Sequence, residues 1–152
     1  IYKSGIDLSG DFMIKNRNSG KYLETPSMST ANNTGLVQWG NTGYSCQIWN
    51  VAESGTSGYY TLTNKNSGKR CQIYNNSTEN GAIAVQYSPS NSYSQQWLLK
   101  YTDSGYFQLI NRNSNKLLEV MYNLTTDGAA VGQWSETGYP CQEWTFVKEG
   151  IQ

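Results

Sequence analysis

Two carboxylates and two indoles stand at matched places in this chain: Glu24 with Trp39, and Glu119 with Trp134. Gln72 and Tyr87 hold the corresponding places between them. A carboxylate accepts charge-assisted hydrogen bonds from two adjacent hydroxyls, and these are stronger than neutral ones. A flat aromatic face buries the C–H face of a small ring at low entropy cost. Together they recognise a neutral polyhydroxylated ring with one polar edge and one apolar face. Taken singly, the glutamates read equally well as solvated strand ends, but their matched placement favours a binding role. Tyr44 and Tyr139 also match each other, with Ser92 in phase between them. They are expected either to wall the sites or to pack on a turn.

The composition supports an uncharged partner. The chain has 152 residues, with 11 Lys+Arg, 11 Asp+Glu and no His. A nucleic-acid binder needs an excess of cations to neutralise phosphates, and so does an electrostatically held membrane partner. Neither is expected, and no apolar run approaches the roughly 20 residues of a membrane helix. Without His there is no His-dependent triad and no imidazole zinc site. No loop clusters the oxygen ligands that calcium needs, so neither a metal nor a cofactor is expected. Only 14% of residues are charged, yet 13% are aromatic, and Asn, Ser and Thr number 16, 17 and 13. Amides, hydroxyls and flat rings fit a sugar-like ligand, or else a polar-surfaced β protein with an aromatic core.

The elements that position these residues repeat three times. FMIKNRNSGKYLE (12–24), YTLTNKNSGKRCQ (60–72) and FQLINRNSNKLLE (107–119) align, and each segment closes on a Trp at 49, 97 or 144. Asn16, Asn64 and Asn111 are 48 and 47 residues apart, and so are the three tryptophans. Each repeat, at about 11–51, 59–99 and 106–148, reads as four strands. Alternating apolar residues (Phe12/Ile14, Tyr60/Leu62, Phe107/Leu109) mark the first strand. Gly20, Gly68 and Asn115 then offer the positive φ of a tight hairpin. Leu23, Cys71 and Leu118 share one inward position on the second strand. A polar loop leads to a third strand at Leu36–Trp39, Ala84–Tyr87 or Val131–Trp134. A second turn places Gly43, Asn91 and Gly138 at an αL-tolerant position, and the fourth strand carries the repeat's Trp, expected in the core. Three units that cannot each cover their own apolar face must share a core about a pseudo-threefold axis. Three blades are too few for a propeller. The expectation is an all-β, twelve-stranded β-trefoil filling residues 1–152 as one domain.

The odd cysteine count (Cys46, Cys71, Cys141) does not support a fully paired framework. Cys46 and Cys141 are threefold-related and so too far apart to bond, while Cys71 replaces a core leucine. Free, buried thiols are expected. Low charge and abundant Asn, Ser and Thr suggest a secreted protein. A start at Ile1 suggests a mature form or a piece of a longer chain.

Three in-register copies of Gln-x-Trp (Gln47-Ile48-Trp49, Gln95-Gln96-Trp97, Gln142-Glu143-Trp144) carry a family resemblance. With the Gly-Lys-x-Leu-Glu and Val-Gln-Trp stretches, residues 11 to 148 resemble the ricin-B-type lectin β-trefoil. Carbohydrate-binding modules of family 13, attached to bacterial polysaccharide-degrading enzymes, share that pattern. The resemblance implies one shallow sugar site per repeat. The acid position is Glu24, Gln72 or Glu119, and the stacking aromatic is Trp39, Tyr87 or Trp134. The Gln of the motif is Gln47, Gln95 or Gln142, expected to fix the loop or orient the acid, or to touch the sugar. The sequence departs from galactose-binding lectins. Cys46, Ser94 and Cys141 replace the usual Asn before the Gln, and Gln38, Gln86 and Gln133 directly precede the aromatic. Repeat two, with Gln72 and Tyr87, is the expected weak or lost site.

The resulting expectation is a monomeric, non-catalytic carbohydrate-binding module. Its partner is a neutral plant cell-wall polysaccharide, galactan, arabinogalactan or xylan, and it is linked covalently to a glycoside hydrolase. A free-standing lectin and a protein-binding or inhibitory trefoil are the alternatives. Catalysis is not expected, because glycoside hydrolysis needs two carboxyl groups flanking one bond. Glu24 and Glu119 belong to different repeats, and Glu136 has no acidic counterpart at Asn41 or Pro89.

Overall fold

The computed structural model describes residues 8–148. Alternating apolar residues in each repeat form strands that turn back at the predicted hairpins. The strands are β1 (Gly10–Asn16), β2 (Tyr22–Glu24), β3 (Val37–Trp39), β4 (Trp49–Glu53), β5 (Tyr59–Asn64) and β6 (Arg70–Ile73). They continue as β7 (Ala84–Tyr87), β8 (Trp97–Tyr101), β9 (Phe107–Asn111), β10 (Leu117–Val120), β11 (Val131–Trp134) and β12 (Trp144–Lys148). β1 pairs with β4 and β12, β5 with β4 and β8, and β9 with β8 and β12, all antiparallel. Six strands thus close on themselves, which leaves no open sheet edge in the ring. The hairpins β2–β3, β6–β7 and β10–β11 cap this barrel. Single bridges Gly35–Val85, Ile83–Gly132 and Val37–Ala130 tie each cap hairpin to its neighbours. The architecture is a β-trefoil.

The core is threefold as well. Trp49, Trp97 and Trp144 are fully buried, together with Ile14, Leu62, Leu109, Leu23, Cys71 and Leu118. A buried indole must also satisfy its N–H. The three Nε1 atoms donate to the carbonyls of Leu23, Cys71 and Leu118 at 3.0, 3.1 and 3.0 Å. All three cysteines are buried free thiols, and burial pushes Cys46 and Cys141 up to about 11.

The hairpin asparagines lock one repeat to the next. Asn64 Oδ1 accepts from the backbone N–H groups of Asn66 and Ser67, while its Nδ2 donates to Cys46 O at 2.9 Å. Asn16 and Asn111 do the same, reaching Cys141 O and Ser94 O. Each Gln-x-Trp turn is therefore held by the following repeat.

Gly20, Gly68 and Asn115 adopt positive φ as expected, and so do Gly43 and Gly138. Asn91 does not. At that turn of repeat two, Ser90 Oγ accepts from Ser92 N, and Ser92 Oγ accepts from Ser94 N. Hydroxyl turns shape the segment without a left-handed residue. The third strand of repeat one starts at Val37 rather than Leu36, whose N–H is donated to Ala84 O of repeat two.

Candidate functional site

β2 and β3 pair antiparallel with Glu24 opposite Val37 and Trp39 opposite Tyr22, so acid and indole stand as diagonal neighbours on one face of the hairpin. Glu24, Trp39 and Tyr44 border one shallow depression with Met28 and Thr42. Glu119, Trp134 and Tyr139 border a second with Tyr122 and Thr137. Gln72 and Tyr87 border a third with Asn33, Asn75 and Ser92. The acid, aromatic and tyrosine positions read from the sequence therefore converge repeat by repeat. The aromatic faces are open to solvent: Trp39 is 40% exposed and Tyr44 61%.

The motif glutamines Gln47, Gln95 and Gln142 are buried and border none of the three depressions. Gln47 Nε2 donates to Glu24 Oε1 at 3.0 Å and to Gly40 O at 2.7 Å, and its Oε1 accepts from Thr42 N at 3.1 Å. Gln142 repeats this geometry on Glu119, Ser135 O and Thr137 N. Gln95 repeats it on Gln72, Ser88 O and Ser90 N. Each Gln therefore orients the acid-position side chain and fixes the turn that carries the rim. The depressions themselves are lined by the acid position, the aromatic and the loops.

Burial holds the Glu24 and Glu119 carboxyls above the usual carboxylate range, opposed in part by the donated Gln hydrogen bond. For Glu24, the charge of Asp127 adds to the rise. One oxygen of each carboxylate is engaged by its Gln, which leaves Oε2 as the acceptor toward the depression. Among the described residues no cluster of His, Cys, Asp and Glu is arranged to hold a metal ion. Asp127 does not border the Glu24 depression. It accepts from Gly40 N at 2.9 Å and lies 3.4 Å from Lys21 Nζ. Its counterpart near Trp134 is Asn80, which binds Ser135 N in the same way. Glu136 is engaged by Gln108 Nε2 at 2.9 Å and lies outside the Glu119 depression.

Two sets of rim residues escape the sequence reading. The first is a pair of left-handed residues after each second strand: Ser27/Met28, Asn75/Asn76 and Tyr122/Asn123, with φ between 54° and 61°. Such φ values are strained for Ser, Met and Tyr and occur where tertiary contacts enforce them. Here the contact comes from the next hairpin: Asn66 Nδ2 holds Met28 O at 3.0 Å, and Asn113 Nδ2 holds Asn76 O at 2.9 Å. Only the Asn residues offered a signal, since their side chains tolerate αL. Tyr122, 81% exposed, is lifted onto the rim by this loop.

The second set comes from another repeat. Trp39 lies against Gly128, where a Cβ would meet its Cζ3 at 3.5 Å, and Trp134 lies against Gly81 at 3.4 Å. The same position in repeat one is Asn33, which borders the Tyr87 depression. A large indole is matched by Gly and a smaller phenol by Asn.

The fold and the repeated acid–aromatic rim define a lectin-type β-trefoil. The ricin-type beta-trefoil lectin domain-like family matches over residues 5–87, 45–134 and 93–151, and the chain belongs to that family. No curated protein sequence gives a significant match. Among solved structures, the designed threefold-symmetric protein ThreeFoil is 37% identical, with a TM-score of 0.89 over 91% of this chain and 99% of that one. The exo-beta-1,3-galactanase 1,3Gal43A from Clostridium thermocellum is 32% identical, with a TM-score of 0.87 over 93% of this chain. The match spans only 30% of the galactanase. The C-half of an earthworm R-type lectin, solved with GalNAc, shares the fold at 17% identity and a TM-score of 0.70, over 91% of this chain and 98% of that one.

Proposed function

We propose that this chain is a non-catalytic carbohydrate-binding module that holds a neutral plant cell-wall polysaccharide, galactan, arabinogalactan or xylan, and targets a linked glycoside hydrolase to it. One observation carries the reading: a Gln-held carboxylate stands beside an open tryptophan face, and this pairing occurs twice, around Glu24/Trp39 and Glu119/Trp134. In the bound state the sugar's apolar face lies on the indole, and the free carboxylate oxygen accepts from its hydroxyls. Tyr44 and Tyr139 wall the ring on its open side. The similarity to one part of a galactanase supports a module within a larger enzyme. The Trp39 and Trp134 sites each border on one carboxylate and the Tyr87 site on none, whereas glycoside hydrolysis requires two across the scissile bond. Shallow sites bind weakly one by one, and a polymer that spans several gains by effective concentration. A secreted, monomeric domain is part of this proposal.

Affinity gel electrophoresis through xylan, galactan and arabinan tests the reading. Wild type should be retarded by at least one polymer, and the Trp39→Ala/Trp134→Ala variant should migrate freely. A wild type that no polysaccharide retards would sink the module. Reducing-sugar release by the pure domain would restore an enzymatic reading.

A further inference from the structure

We propose that the Gln72/Tyr87 depression of repeat two takes a carboxylated sugar, a uronic-acid residue, rather than being a decayed copy of the two neutral sites. This rests on reading the three depressions as sugar sites.

The first observation is an inversion of hydrogen-bond polarity. Backbone groups dictate the orientation of Gln95: Ser90 N–H only donates, so Gln95 Oε1 faces it at 2.9 Å. Ser88 O only accepts, so Gln95 Nε2 faces it, also at 2.9 Å. The remaining hydrogen on Nε2 points at Gln72 and requires an acceptor there, so Gln72 Oε1 occupies that place at 2.8 Å. Gln72 Nε2 is thereby turned to the position that Glu24 Oε2 and Glu119 Oε2 hold in the other repeats. It has no hydrogen-bond partner among the described residues. A donor stands where the other two sites present an anionic acceptor, and it calls for an acceptor on the ligand.

The second observation is an unpaired cation. Arg70 sits two residues before Gln72 on the same face of β6 and directly across from Tyr87 on β7. Its counterparts are Tyr22 and Leu117, both buried and uncharged. Arg70 Nη1 donates to the carbonyl of Ser90, which borders the depression, at 3.0 Å. Among the described residues it has no acidic partner, and its Nε is buried without a hydrogen bond. The remaining rim is amide and hydroxyl: Asn33, Asn75, Asn76, Ser90 and Ser92, with no carboxylate. A sugar carboxylate at this site accepts from Gln72 Nε2 within the field of Arg70. The same group at the other sites would face Glu24 or Glu119 and be repelled.

Isothermal titration with tri-galacturonate, its methyl ester and the neutral galacto-trisaccharide tests this, with a glucuronate-bearing oligosaccharide run beside them to separate the two uronate types. The acid should bind wild type about tenfold more tightly than its ester, the size of one hydrogen bond to a charged group. Trp39→Ala/Trp134→Ala should abolish neutral binding and leave acid binding within about twofold, because the two sets of contacts are separate. Gln72→Glu should lose about tenfold for the acid, and Arg70→Leu severalfold. Gln72→Glu installs the residue that the same Gln already holds in repeats one and three, so it should fold; an unchanged thermal midpoint checks that. An NMR shift of the Gln72 side-chain amide on adding the acid gives a readout independent of mutation. Acid binding that vanishes with the two tryptophans, survives Gln72→Glu unchanged, or is absent from wild type overturns the proposal. Loss of neutral binding alone would sink the function proposed above and leave this one standing.

Discussion

Gln86 of repeat two reaches into repeat one, where its Nε2 lies 3.0 Å from the carbonyl oxygen of Ser29. The same nitrogen donates to Ala31 O at 2.9 Å, and Gln86 Oε1 accepts from Ser67 Oγ at 2.7 Å. Gln38 binds the carbonyls of Leu124 and Thr126, and Gln133 those of Ser77 and Glu79. Every loop leaving a left-handed pair is thus pinned by the residue just before another repeat's aromatic. Gln86→Ala should leave Ser29 O unpaired, while Ala31 O keeps Thr34 Oγ1 at 2.8 Å, and should cost about 1–3 kcal/mol, the range for one unsatisfied group. Its binding defect should appear at both depressions that this loop borders, at the Trp39 site through Met28 and at the Tyr87 site through Asn33. Urea unfolding together with titration of single-site variants checks both outcomes.

The tryptophans separate into two functional sets. Trp39→Ala and Trp134→Ala remove partly exposed rings and should leave stability within about 1 kcal/mol, as for surface substitutions. Binding of neutral polysaccharide should fall by at least tenfold. Trp49→Ala empties a fully buried site and breaks the Nε1 hydrogen bond to Leu23 O. It should cost about 3–5 kcal/mol. Thermal unfolding beside affinity electrophoresis distinguishes the two classes.

Glu24 and Glu119 set a pH dependence with opposite signs for folding and binding. Their folded pKa values lie above the unfolded values, chiefly through desolvation. Between those values the folded state binds more protons, so stability rises as pH falls through the folded pKa and levels off below the unfolded one. Binding that uses the ionised carboxylates should weaken over the same interval. Glu24→Gln/Glu119→Gln should flatten the stability profile in that window and lower neutral-sugar affinity at pH 7. Denaturant midpoints from pH 3 to pH 8, compared with wild type, provide the measurement.

Gly128 and Gly81 face the indoles at positive φ, 85° and 87°. Gly128→Ala should cost about 1–2 kcal/mol from the left-handed backbone alone. It should also press on Trp39 and weaken binding there while sparing the Trp134 site. Asn33 occupies the equivalent place at φ 68° beside the smaller Tyr87, so Asn33→Gly should be close to neutral for the fold. Titrating each site in a background lacking the other tryptophan reads the effect.

The sequence by itself determined the repeats, the twelve-strand trefoil, the core tryptophans and the first and second hairpin turns, apart from Asn91. Those features are local: alternation, turn residues and spacing act within a few residues of chain. It also placed the acid and aromatic positions together, because strand pairing aligns them within one repeat, and left the tyrosines open between the rim and a turn. Only the tertiary structure decided the burial of Gln47, Gln95 and Gln142 behind the acid position. It likewise decided the left-handed rim pairs and the partnership of Trp39 with Gly128. The rim pairs and the Trp39–Gly128 partnership depend on barrel closure, which joins residues as distant in the chain as Trp39 and Gly128. The same closure fixes Gln95 against two backbone groups, and so turns a substitution that reads as a lost acid, Gln72, into a donor facing the ligand side.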